Sequence, residues 1–369
     1  MAIRQSALEE VVSANFWVGR RVFITGHTGF KGGWLALWLH RLGADLSGYA
    51  LPPPTRPSMY LETGIGRLLR SAEGDILDRV RLDGALQASR PEVVFHLAAQ
   101  PLVRRSYHDP VGTYATNVMG TVYLLEAVRR CGSVRAVVVI TSDKCYDNQE
   151  RSVGGYHEGE LLGGRDPYSS SKAAAELVTA AYRQSFFAPS DHVRHGVAIA
   201  SARAGNVIGG GDWAEDRLVP DFIRAATAGQ ELLIRSPGAV RPWQHVLEPV
   251  AGYLRLAERL VQQGPAYGEP WNFGPDDEDT RPVAWLADRL VALWGEGARW
   301  RPDSQPGLHE ARHLRLDSAK ARQRLGWAPR WRLEQALEQV VEWHRAQLGG
   351  ADMLLRSLEQ IESYERSSA

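Results

Sequence analysis

Arg21-Val22-Phe23-Ile24-Thr25-Gly26-His27-Thr28-Gly29-Phe30-Lys31-Gly32-Gly33 is a short apolar, β-rich run that breaks into a glycine turn. Trp34, Leu35, Trp38, Leu39 and Leu42 then recur at helical spacing, so the order is strand, glycine turn, helix. That is the first half of a βαβ unit, where backbone amides at a helix N-terminus can approach a pyrophosphate. Gly26, Gly29 and Gly32 are spaced Gly-x-x-Gly-x-x-Gly, which departs from the G-x-G-x-x-G fingerprint. Their place between a strand and an amphipathic helix carries the dinucleotide reading. On spacing alone, His27 and Lys31 read as solvated side chains of the turn.

Further along, the strand from Asp45 to Tyr49 ends in Gly48-Tyr49-Ala50-Leu51-Pro52, without the acidic residue that would hold a ribose 2′-hydroxyl. Arg56 lies beyond it in a proline-rich loop, so this strand leaves NAD and NADP both open. Gly74-Asp75-Ile76, and Pro91 through Val93, His96, Leu97, Ala98 and Ala99 to Gln100, read as loop and strand ends of the same sheet. The small Ala98 and Ala99 suit either close approach of a cofactor or tight strand packing. A helical run through Val118, Val122, Leu124, Leu125 and Val128 leads to Val134–Ile140, which has the continuous apolar character of a buried parallel strand. Thr141-Ser142-Asp143-Lys144 sits at its carboxyl end, where open α/β sheets hold their ligands.

Asp166-Pro167-Tyr168-Ser169-Ser170-Ser171-Lys172 opens the next helix. Spacing of four puts Tyr168 and Lys172 on one face, so an ammonium can lie beside the phenol and favour its ionised form. A further strand at Gly196–Ala200 and a glycine-rich loop from Arg203 to Trp213 follow. The repeated alternation predicts an α/β fold, a doubly wound parallel sheet of Rossmann type over residues 15–205. A smaller C-terminal α/β lobe for substrate is expected over 206–350, with later segments returning to the first domain and a final helix near Leu333 to Gln347.

The chain has 369 residues, with Lys plus Arg and Asp plus Glu both totalling 43, a balance that points away from nucleic acid and anionic membranes. Two cysteines, Cys131 and Cys145, argue against a disulfide framework or a cysteine-built metal site and fit a reducing compartment. No apolar run has the length of a signal peptide or a membrane span, so a cytoplasmic protein is expected, with no metal.

Taken together, the glycine turn and the Tyr168/Lys172 pair resemble the extended short-chain dehydrogenase/reductase superfamily of nucleotide-sugar enzymes, from about residue 20 to 345. Gly26–Gly32, Thr141–Tyr146, Ala204–Trp213 and Arg241-Pro242-Trp243-Gln244-His245-Val246 are similar, within it, to the 4,6-dehydratases that act on CDP-glucose. Lys144 favours that branch, since the dTDP-glucose branch has an acidic residue there. The resemblance implies NAD held by Gly26, Thr28, Gly29, Phe30, Lys31, Gly32, Asp75, Ile76, Leu97, Ala98, Ala99, Thr141, Tyr168 and Lys172. It implies that Tyr168 takes the proton of the sugar 4-hydroxyl, Ser142 shares that hydrogen bond, Asp143 protonates the departing 6-hydroxyl, and Lys144 removes the C5 proton or orients the group that does. Gln100, Asn206, Arg217, Arg241 and Asn272 are implied on the nucleotide-sugar side, CDP-glucose by preference, and a homodimer or tetramer as the assembly. Two readings compete: a 4-epimerase or decarboxylase on the same fold, which needs no acid and base at Asp143 and Lys144, and a non-catalytic NAD-binding scaffold, which needs none of Ser142, Tyr168 and Lys172.

Overall fold

The computed structural model describes residues 11–151, 153–304 and 313–368. Its strands in chain order are β1 (Arg21–Thr25), β2 (Asp45–Ala50), β3 (Arg70–Glu73), β4 (Val93–His96), β5 (Ala136–Ile140), β6 (Ala198–Ala204), β7 (Val207–Ile208), β8 (Leu232–Ile234), β9 (Val240–Pro242), β10 (Gln244–His245), β11 (Pro270–Phe273), β12 (Thr280–Pro282) and β13 (Trp300–Pro302). Seven of them form one sheet in the order β11-β6-β5-β4-β1-β2-β3, and every pairing in it is parallel. The order reverses between β1 and β4, and a crevice opens at the carboxyl ends of such a pair.

Side-chain alternation assigns the two faces. Val22, Ile24, Val93, Phe95, Ala136 and Val138 join one apolar core, while Phe23, Val94, Val137 and Val139 join the other. Helices Phe30–Arg41, Leu247–Gln263 and Met353–Arg366 supply the first core. Arg79–Ser89 and Gly120–Arg130 supply the second, with Pro167–Ser185 packed against it. A third core gathers Ile208, Phe222, Leu232, Trp243, Leu290 and Leu337, built from segments after residue 206. Between those segments the chain returns to the sheet as β11 and as helix Leu247–Gln263.

Helix Leu333–Leu348 is not the last one, as the sequence reading had it: Met353–Arg366 follows, capped by Asp352 and packed on the first core through Met353, Ile361 and Tyr364. Its many charged residues lie on the outer side and hide an apolar stripe. Both cysteines are free and buried. No helix among the described residues is long and apolar enough to cross a membrane.

Candidate active site

The glycine turn closes because Gly26 and Gly32 have no side chain. Gly26 has φ +76°, and a Cβ there would meet the Ala98 nitrogen at 2.7 Å, so the turn lies directly on the end of β4. A Cβ on Gly32 would fall 2.2 Å from the Gly26 carbonyl oxygen. Gly29 is different: its Cβ would meet the Gly26 oxygen at 3.4 Å, an ordinary contact. It precedes helix Phe30–Arg41, whose N-terminus has no side-chain cap. Those uncapped amides, with space in front of Gly29, fit an anionic pyrophosphate. Lys31 stands beside them, its Nζ 3.4 Å from the Tyr253 hydroxyl. Burial, then the like charges of Arg217 and Lys172, lower its pKa to about 7.

His27 and Lys31 are therefore not solvated. His27 is fully buried against Gly48 and shares a 2.8 Å hydrogen bond with Ser71. Desolvation lowers its pKa to about 4.

Around this turn, Thr28 donates to the Leu51 carbonyl at 2.9 Å and ties it to the end of β2. The ring of Phe30 lies over Gly209. Asp75 caps its own turn by accepting from the Leu77 amide at 2.9 Å, and the Ile76 side chain goes into the second core against Gly120, which leaves its backbone to face a cofactor. Leu97, Ala98 and Ala99 follow β4 at the crevice edge, with the Ala98 amide donating to Thr25 Oγ1 at 3.2 Å. These groups follow the carboxyl ends of β1, β2, β3 and β4, and the donor set suits a dinucleotide.

Asp166 and Pro167 start helix Pro167–Ser185. The Asp166 carboxylate accepts from the Ser169 amide at 2.8 Å, and proline fills the first helical turn, where no amide partner is needed. The start is fixed from outside too, since the Tyr168 amide donates to Ser106 Oγ at 3.1 Å. Tyr168 is buried, and desolvation pushes its pKa up to about 12, partly offset by a hydrogen bond with Ser142 and by the charge of Arg217. Lys172, on the same helical face as Tyr168, donates from its ammonium to the Ile140 carbonyl at 3.3 Å. A buried ammonium requires an acceptor, and Ser142 already engages the phenol. Burial lowers Lys172 to about 8.

The end of β5 turns into the short 3₁₀ segment Asp143–Cys145, capped by Ser142, whose hydroxyl also donates to Asp143 Oδ1 at 2.9 Å. Asp143 is buried at 3% exposure and its Oδ2 has no partner. Desolvation raises its pKa against the opposing charges of Lys144 and Arg241. Lys144 Nζ stands 6.0 Å from the Tyr168 ring centroid. Lys144 and Arg241, with Tyr146, Arg165, Asp166 and Ser169, line a cleft. The structure thus gathers a phenol, a hydroxyl, a carboxyl with one unpaired oxygen and two ammonium groups at adjoining strand and helix ends.

Of the residues expected on the substrate side, Arg217 acts on the phenol through its charge and pairs with Asp212 at 2.8 Å, and buried Arg241 acts on Asp143. Asn206 sits half-buried between β6 and β7, its backbone carbonyl accepting from the Gln244 amide at 3.0 Å. Two expected substrate contacts turn inward instead. Gln100 braces its own loop, donating to Leu102 O at 3.0 Å and Thr113 Oγ1 at 2.9 Å while accepting from the Leu102 amide at 2.6 Å. Asn272 is fully buried, its carbonyl oxygen accepting from Tyr146 at 2.7 Å and its amide donating to Tyr156 O at 2.7 Å and Asp317 O at 3.0 Å. Their amide hydrogens are taken by protein acceptors, so both residues serve the walls of the site. Tyr253 was missed. It reaches the site from a distant helix, where Asp143 and Tyr168 act on it, and nothing in its local sequence marks it. No cluster of metal-ligating side chains occurs among the described residues.

Residues 22–274 match the model of the NAD dependent epimerase/dehydratase family. The chain belongs to that family. It is 53% identical over 354 residues to CDP-glucose 4,6-dehydratase of Salmonella typhimurium, a match that covers 96% of this chain and 98% of that protein. Among solved structures, the dTDP-glucose 4,6-dehydratase DesIV of Streptomyces venezuelae with NAD bound superposes with a TM-score of 0.74 at 25% identity, covering 90% of this chain and 99% of that one. UDP-glucose-4-epimerase of Stenotrophomonas maltophila has a TM-score of 0.77 at 21% identity over 90% of this chain and 100% of that one, which shows the shared fold.

Proposed function

We propose that the chain is an NAD-dependent hydro-lyase that converts CDP-D-glucose to CDP-4-keto-6-deoxy-D-glucose. The observation that carries this reading is Asp143: a buried carboxyl, held toward its protonated form by desolvation, with one oxygen left unpaired beside Ser142 and Tyr168. An epimerase has no use for such an acid, whereas elimination of a hydroxyl requires one. When bound, NAD would accept the hydride from C4 and return it to C6 after water is lost, so that it is regenerated within each turnover.

Tyr168 accepts the proton of the 4-hydroxyl, with Ser142 hydrogen-bonded to the same oxygen. Arg217 favours the phenolate that burial alone disfavours. The resulting 4-keto group acidifies the C5 proton. Lys144, over the Tyr168 ring, removes that proton or orients the group that does, and Asp143 gives its own proton to the departing 6-hydroxyl. Water leaves across C5 and C6. Asn206 and Arg241 hold the diphosphate, Arg241 by paired donors to phosphate oxygens.

Residues 15–205 are assigned to NAD and 206–350 mainly to substrate. Two copies pair, in this reading, through the outer faces of Pro110–Tyr114 and Pro167–Ser185, where Val111 is 78% and Leu177 60% exposed. Sedimentation checks that assembly. The cytoplasm is the proposed compartment, in keeping with two buried, unbridged thiols. The function itself is tested by incubating the purified protein with CDP-, dTDP-, UDP- and GDP-glucose. A 4-keto product should form with the highest kcat/KM from CDP-glucose, and a higher value for another nucleotide would move the chain to a different branch.

A further inference from the structure

Glu176 lies one helical turn after Lys172 on the same face of helix Pro167–Ser185 and is 4% exposed. Its Oε1 accepts from the Thr141 hydroxyl at 2.5 Å, and its Oε2 accepts from Ser201 Oγ at 2.7 Å and Arg203 Nη2 at 2.8 Å. Arg203 in turn donates to the Tyr146 hydroxyl at 2.8 Å, and the side chains of both members of the ion pair are buried. One carboxylate therefore fastens three pieces together. They are the helix that carries Tyr168 and Lys172, the end of β5 immediately before Ser142 and Asp143, and β6. A buried ion pair is a weak device for stability alone, since desolvation offsets much of its attraction.

The charged and titratable groups that act on Lys172 come from several elements: Lys31 on helix Phe30–Arg41, His96 at the end of β4, Cys145 after β5, and Glu176 on its own helix. Arg203 and Arg183 act on Glu176 from the far side. Burial raises the Cys145 thiol well above its usual range and so keeps it neutral. Glu176 supplies the negative charge of this set.

We infer that Glu176 is a positioning residue for the dehydration, holding the Lys172 helix against the Ser142–Asp143 strand end and setting a carboxylate one helical turn from Lys172. The inference rests on the roles given above to Tyr168 and Lys172, yet it can be tested apart from them. The measurement is the pH dependence of kcat/KM, on NAD-loaded enzyme, for the parent, Lys172→Arg, Glu176→Gln and the double variant Glu176→Gln/Arg203→Gln. Lys172→Arg carries a permanent charge, so the alkaline limb should disappear and thereby be assigned to Lys172. With Glu176→Gln that limb should move down by about one pH unit. In the same variant kcat should fall about tenfold while KM for the sugar nucleotide stays within about twofold. The double variant leaves no unpaired buried charge and should show the same displacement, so it decides the matter if Glu176→Gln does not fold. If the ion pair served stability alone, its removal would lower the melting temperature and leave the limb in place. An unmoved limb in a folded variant overturns the inference and spares the Tyr168/Lys172 reading, and failure of both variants to fold overturns it too. Survival of the limb in Lys172→Arg overturns that reading and the inference with it.

Discussion

Asp143→Asn separates chemistry from stability, because the structure predicts effects of opposite sign. The substitution is isosteric, and the introduced amide can keep the 2.9 Å hydrogen bond from Ser142 Oγ through its carbonyl oxygen. The second atom changes from an unpaired, desolvated carboxylate oxygen to an amide nitrogen in the same place. A buried unsatisfied group costs about 1–3 kcal/mol, more when charged, so replacing it by a neutral one should leave stability unchanged or raise it by about 1 kcal/mol. At this chain length that is a rise in melting temperature of roughly 1–2 °C. Turnover should move the other way, by about 10²-fold or more, since the amide cannot donate the proton that the 6-hydroxyl needs. Oxidation at C4 does not use Asp143, so reduced cofactor should build up on the enzyme and be seen as a new near-ultraviolet absorbance when CDP-glucose is added. Melting curves, product assays and that absorbance together check the argument. Turnover within about threefold of the parent, or a marked loss of stability, would refute the role given to the unpaired oxygen.

Other consequences follow from the same geometry. Tyr168→Phe should lower turnover by at least ~10²-fold while NAD affinity changes little; near-parental turnover would remove the phenol from the mechanism. Gly29→Ala should melt like the parent yet bind NAD more weakly. Gly32→Ala must move backbone atoms that now lie 2.2 Å from the new Cβ, so it should lose about 1–3 kcal/mol of stability as well. Equal melting temperatures for the two variants would contradict this. Buried Glu248 accepts from the Trp331 amide at 2.8 Å and from Tyr364, and desolvation raises its pKa from 4.5 to about 7. Its protonated form is favoured by folding, so its contribution is complete below about pH 4.5 and is lost as pH rises through about 7, a fall of about 3 kcal/mol. Glu248→Gln should flatten that part of the stability profile in chemical denaturation, and an unchanged slope would count against it.

The sequence made the sheet legible because its signals are local: Val22 to Thr25 and Ala136 to Ile140 are apolar runs, and the glycines between strand and helix have few other uses. Tyr168, Lys172 and the Thr141–Lys144 segment were legible for a related reason, since each lies at an element end that the alternation itself locates. What escaped depends on partners far away in the chain. Asn272 and Gln100 are polar residues in the right neighbourhood, yet their amides are taken by Tyr146, Tyr156 and Thr113, which only the folded chain brings near. The Ile140 carbonyl that accepts from the Lys172 ammonium is likewise not marked by the spacing. Spacing alone could have found Glu176, four residues beyond Lys172, although its partners Thr141, Ser201 and Arg203 come from two other strands. Helix Met353–Arg366 was overlooked because its charged outer side obscures the stripe formed by Met353, Ile361 and Tyr364.

The central claim is that a base, an acid and a returning hydride act on one bound sugar. It is tested most directly by following a single deuterium placed at C4 of CDP-glucose. If Tyr168 and Asp143 act as described, the label should appear at C6 of the 4-keto-6-deoxy product, with no net use of NAD and no added reductant. Product that keeps the 6-hydroxyl and carries its deuterium at C4 would contradict the account and make the chain an epimerase.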